Sequence, residues 1–142
     1  MKKLLLLSAI LLASTNSFAD CTVDAVADTG RVPFGEFTFN GIFKVNLANR
    51  TNETQTYSIC YEVHSQYWDN SHHYQIQRCD THTLAPYEAF NADNIKVPLT
   101  TKYQYHQGVP NGVHLDAIVH IRGESSCYKD AHRIATLGGP RG

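Results

Sequence analysis

Apolar residues fall on alternate positions through much of this chain. That is the two-residue period of strands with one buried and one wet face. Phe37, Phe39, Phe43, Val45 and Leu47 all occupy odd positions, with Thr38, Asn40, Lys44 and Asn46 between them. Gly41 and the off-phase Ile42 interrupt the series and predict a bend, a bulge or a break into two strands. The polar run Ala48–Glu53 reads as a turn and carries two N-x-T sequons, at Asn49 and Asn52.

The next two runs fix each other's register. Tyr57, Ile59, Tyr61 and Val63 alternate with Ser58, Cys60 and Glu62; further on, Tyr74, Ile76 and Arg78 alternate with Gln75, Gln77 and Cys79. A hairpin folded about Asp69-Asn70 pairs residues whose numbers sum to 139. Val63 then faces Ile76, and Ser65 faces Tyr74. Cys60 falls opposite Cys79 on the other face. A slip of one residue would lose both the shared apolar face and the cysteine pair.

Leu84 to Glu88 reads as a connection. Ile95, Val97 and Leu99 form a short strand that Pro98 marks as an edge or a bulge. Tyr103 and Tyr105 continue into another strand, and Gln107 to Gly112 is a loop. Val113, Leu115, Ala117, Val119 and Ile121 give the clearest strand, with His114, Asp116, Ile118, His120 and Arg122 on its wet face. Residues 131–137 are ambiguous between strand and short helix, and residues 138–142 read as a loose tail. Short strands separated by turns, with no long helical period, predict an all-β fold of two stacked antiparallel sheets. An immunoglobulin-like sandwich is the first architecture this layering offers. The cysteine and tryptophan spacing of true immunoglobulin domains is absent, because Trp68 falls in a turn.

The start of the chain changes how the cysteines are read. Lys2 and Lys3 precede an apolar run, and Ser17-Phe18-Ala19 follows it. This is the pattern of a secretory signal, with cleavage expected before Asp20. The expected organisation is a signal over 1–19, one sandwich domain over 20–137 and the tail. Loss of 1–19 leaves 123 residues and no apolar stretch long enough to span a membrane as a helix. The short Lys-Lys-Leu leader points to a bacterium, and the expected location is periplasmic or extracellular. In such a compartment Cys21, Cys60, Cys79 and Cys127 read as two disulfides. The hairpin register gives Cys60–Cys79, and elimination gives Cys21–Cys127.

Charge narrows the partners. The chain carries 12 Lys and Arg against 13 Asp and Glu, and losing Lys2 and Lys3 takes the formal charge from −1 to −3. That excludes the basic footprint of a general nucleic-acid binder. All eight histidines remain after cleavage, so protonation would reverse the sign.

Two groups of residues are candidate sites. Tyr67, Trp68, His72, His73 and Tyr74 surround the hairpin tip, where amphipathic rings suit contact with a protein or a glycan. His114 and Asp116 share a strand face, and His106, across the preceding turn, is the candidate third ligand for zinc or copper. The sequence has no G-x-S-x-G, H-E-x-x-H or phosphate-loop motif. The expectation is an exported protein-binding or ligand-binding module of the inhibitor, adhesion-accessory or envelope-factor kind, needing no cofactor. A small histidine-based metal-binding protein is the alternative, and a small secreted hydrolase is the third reading.

Overall fold

The computed structural model describes residues 19–29, 35–67, 73–103, 105–106, 109–110 and 113–135. Nine strands follow in order: β1 (Ala19–Asp28), β2 (Gly35–Asn49), β3 (Gln55–Tyr67), β4 (His73–Leu84), β5 (Ala89–Tyr103), β6 (Tyr105–His106), β7 (Val109–Pro110), β8 (Val113–Ile121) and β9 (Glu124–Ala135). They make a three-stranded sheet ordered β1-β2-β5, a four-stranded sheet ordered β4-β3-β8-β9, and a small β6-β7 ribbon. The two large sheets are antiparallel and pack face to face.

The alternating residues meet between the sheets. Phe37, Phe39, Phe43, Val45 and Leu47 of β2 are buried against Tyr57, Ile59, Tyr61 and Val63 of β3 and the odd residues of β8. β8 lies between β3 and β9, so its inner row Val113, Leu115, Ala117, Val119 and Ile121 is at most 2% exposed. Ser65 breaks the apolar pattern on β3, and its hydroxyl shares a 2.7 Å hydrogen bond with Thr101 of the facing sheet. Both side chains are buried, and this bond removes the cost of leaving either hydroxyl unpaired there.

Gly41 does not break β2, which runs through it as one strand. A Cβ at this position would sit 2.8 Å from Val63 Cγ2 and 2.9 Å from Phe43 Cε2, so the glycine lets the two sheets approach. The bulge comes later and on the partner strand. Phe43 pairs with Ile95 and Val45 with Ala92, which places Asp93 and Asn94 opposite Lys44 alone. Asn94 takes the left-handed conformation there, with φ 58°. Gly41→Ala should destabilise the fold by about 1–3 kcal/mol through overpacking. Urea unfolding measures this, and an unchanged midpoint would refute the close approach.

The expected hairpin register is present residue for residue from Gln55↔Leu84 to Gln66↔His73, with Val63 opposite Ile76. Both disulfides are as expected. Cys60–Cys79 joins neighbouring strands, with Cα atoms 4.1 Å apart, and Cys21–Cys127 joins β1 to β9 across the two sheets, at 6.0 Å. Pro98 lies in β5, an edge strand of the three-stranded sheet, as expected for a proline in a strand. The segment from Ile95 to Tyr103 is one strand and not two. Residues 131–135 are strand, as the end of β9. β1, a segment without an assignment from sequence, begins at Ala19, one residue before the expected cleavage point.

The sandwich is closed unequally along its two sides. On one side β1 lies against β9 and is bonded to it. On the other, β4 overhangs the smaller sheet, leaving Tyr74 and Ile76 more than a third exposed. Arg78 covers the core there, with its guanidinium 5.3 Å from the Tyr61 ring centre. Burial, with a further push from Asp80, raises the Tyr61 hydroxyl pKa to about 12, and Arg78 opposes the shift. Tyr61 is therefore a neutral core residue.

Candidate functional site

The outer face of the four-stranded sheet collects the titratable side chains. The pairings β4–β3, β3–β8 and β8–β9 align even-numbered residues of β3, β8 and β9 with odd-numbered residues of β4. One row across the four strands reads His73, Gln66, His114, Ile134. The next reads Gln75, His64, Asp116, His132, and the third Gln77, Glu62, Ile118, Asp130. A fourth holds the Cys79–Cys60 bridge, His120 and Tyr128. Five of the eight histidines thus share one solvent-facing surface.

Four of them form two hydrogen-bonded pairs. His64 Nδ1 lies 3.1 Å from His73 Nε2, and His114 Nδ1 lies 3.3 Å from His132 Nε2. Each pair ends on a carboxylate. Asp116 Oδ1 is 2.8 Å from His132 Nδ1, and Glu62 Oε2 is 3.7 Å from His64 Nε2. The rings are close to parallel, 12° apart in the first pair and 29° in the second. The His64 Nε2 atom is itself buried and has no hydrogen-bond partner among the described residues.

Asp130 stands among these groups. Burial first, and then the negative charge of Asp116, raise its pKa above the ordinary carboxylate value, while His132 and His64 lower it. The folded carboxyl therefore keeps its proton to higher pH than the unfolded one. Stability should fall as pH rises from the ordinary carboxylate value through the raised one. Asp130→Asn removes this loss, so its stability should decline less over that window. Urea midpoints taken across the carboxylate range test this, and a steeper decline in the variant would contradict it.

Two of the hairpin-tip candidates fall among the described residues. His73 and Tyr74 begin β4 on opposite faces, His73 against His64 and Tyr74 opposite Ser65. Trp68 and His72, the Asp69-Asn70 turn and the side chain of Tyr67 lie outside the described residues. Of the metal candidates, His114 and Asp116 share the outer face as expected, but His132 stands between them as the contact of both. His106 is in the β6–β7 ribbon, and its side chain lies outside the described residues. Among the described residues, no three His, Cys, Asp or Glu side chains converge as a metal cluster. His132 carries a carboxylate on Nδ1 as a catalytic dyad does. Its Nε2 meets an imidazole, however, and not a hydroxyl or thiol nucleophile.

Asn49 is buried, and its side-chain amide donates to the carbonyls of Glu53, Leu84 and Ala85. Its carbonyl oxygen accepts from Thr51. This clamp ties the β2–β3 turn to the β4–β5 turn and consumes the first sequon, whereas Asn52 is exposed.

The fold and this face define a disulfide-bonded, two-sheet β domain with a histidine-rich outer surface. No helix among the described residues is long and apolar enough to cross a membrane. No family model matches the chain, and no curated protein matches it. A solved structure titled as the X-ray structure of Northeast Structural Genomics Consortium target SoR45 covers 87% of this chain and 90% of its own, with a TM-score of 0.37 and 8% identity. A likeness at that level assigns neither family nor activity.

Proposed function

We propose that this chain is an exported binding domain whose outer four-stranded face meets a protein partner. The charged start, apolar run and small residues before Asp20, with two disulfides, support export into an oxidising compartment. The observation that carries the binding role is the His73–His64–Glu62 and His114–His132–Asp116 arrangement on a solvent-facing sheet. These groups lie outside the hydrophobic core, which is on the opposite side of the sheet. The face mixes dispersed polar groups with the exposed Tyr128 and Ile134, the mix of polar and aromatic side chains that suits contact with a protein.

A photo-crosslinking residue at position 75, on this face, should give a discrete adduct in the native host. Excess purified protein should suppress it. The same probe at position 44, outside the other sheet, should give no such adduct. An adduct from position 44 alone, or from neither, would refute the assignment.

A further inference from the structure

We infer that the outer face holds two bidentate imidazole sites for a divalent first-row metal ion, one at His64 and His73 and one at His114 and His132. Metal binding here goes beyond partner docking and does not depend on it. Two imidazole nitrogens, each about 2.0–2.1 Å from one ion, stand roughly 2.9 Å apart at a right angle and roughly 3.3 Å apart at the tetrahedral angle. The observed separations of 3.1 and 3.3 Å span the same range. A plain imidazole hydrogen bond fits such distances too, so the decision rests on what the far nitrogens meet.

Glu62 Oε2 stands 3.7 Å from the far nitrogen of His64, beyond hydrogen-bond reach, whereas Asp116 Oδ1 lies within it, 2.8 Å from the far nitrogen of His132. A carboxylate there keeps the ring proton on that nitrogen and leaves a lone pair on the near one. It also makes the near nitrogen more basic. This is how histidine ligands of metal ions are oriented. The paired imidazoles occur twice, on different strands: His73 and Gln66 are paired across β4 and β3, and Asp116 and His132 across β8 and β9, where the carboxylate completes the arrangement. Asp116 is accordingly a positioning residue, and His132 takes the ligand place beside His114.

Loading exchanges one N–H···N hydrogen bond for two nitrogen–metal bonds. In His73 and His114 the proton moves to the far ring nitrogen, so neutral rings release no net proton. Water, or a donor from another molecule, completes the coordination. With imidazole ligands, copper(II) should bind above zinc(II) in the usual affinity order.

The test uses the exported chain without a purification tag and copper(II) sulfate alone. Calorimetry should give two ions per chain, and paramagnetic resonance should show splitting from two nitrogens per ion. His73→Ala and His132→Ala should each leave one ion, and the double variant none. His120→Ala, on the same face but outside both pairs, should still bind two. Asp116→Asn should keep two ions while weakening the His114–His132 site by about 10–100-fold. Near-ultraviolet circular dichroism reports folding, and His132→Gln replaces any alanine variant that fails to fold. No binding by the folded wild type, or two ions still bound by the double variant, would overturn the assignment.

Discussion

Val119→Asp is expected to leave the chain unfolded under conditions where the wild type is native. Val119 is fully buried in the middle of β8, between Tyr61 of β3 and Lys129 of β9 in the sheet pairing. An aspartate here loses the apolar burial of the valine and adds a charge with no water. An uncompensated buried charge costs about 3–5 kcal/mol. Whole domains are stable by only about 5–15 kcal/mol. His120→Ser, one residue along on the outer face, should stay within about 0.5 kcal/mol. Urea titration with near-ultraviolet circular dichroism separates the two. Equal midpoints would mean that the two faces of β8 are assigned the wrong way round.

The second large effect should follow removal of the inter-sheet bridge. Cys21 and Cys127 are 106 residues apart in sequence, and Cys60 and Cys79 are 19 apart. In the chain-entropy model a loop of about 100 residues contributes roughly 4.7 kcal/mol, and one of about 15 residues roughly 3. The double variant Cys21→Ser with Cys127→Ser should therefore melt well below the wild type, and below Cys60→Ser with Cys79→Ser. Cys60 and Cys127 are both fully buried, so a serine adds a loss in either variant and the order rests on loop length. The reverse order of melting temperatures would show that the two sheets hold together without the bridge.

What the sequence made legible was local and periodic. The register of β3 against β4 could be read because one pairing satisfied an apolar face and a cysteine pair together. β8 was legible from five alternating apolar residues. β1 was not assigned, because small alanines and the off-phase Val26 weaken its alternation. At Gly41 the sequence signals a departure from regularity. Only the facing Val63 and Phe43 show that the departure is a close approach. The histidine face depends on pairings that no local pattern encodes. His64 meets Asp116 through the β3–β8 register, which joins segments far apart in sequence, and Asp116 meets His132 through the β8–β9 hairpin, whose register shifts between His120 and Ile121. The composition holds eight histidines, but it does not say that five share a surface.

The union of β1 with β9 also sets an order of events. A chain that emerges N-terminus first presents Cys21 long before Cys127. At a synthesis pace of about 5–20 residues per second, that interval lasts roughly 5–20 seconds. Cys60 and Cys79 arrive within it, and closing the shorter loop from Cys21 to Cys60 has the smaller entropic cost. The native partner of Cys21 is thus reached in one of two ways. Oxidation waits until the last strand docks, or a premature bond is undone by thiol–disulfide exchange. The hairpin cysteines face this competition only until Cys79 emerges, because the strands that align them are neighbours in the chain. Topology alone makes the hairpin bridge the early bond and the inter-sheet bridge the late one.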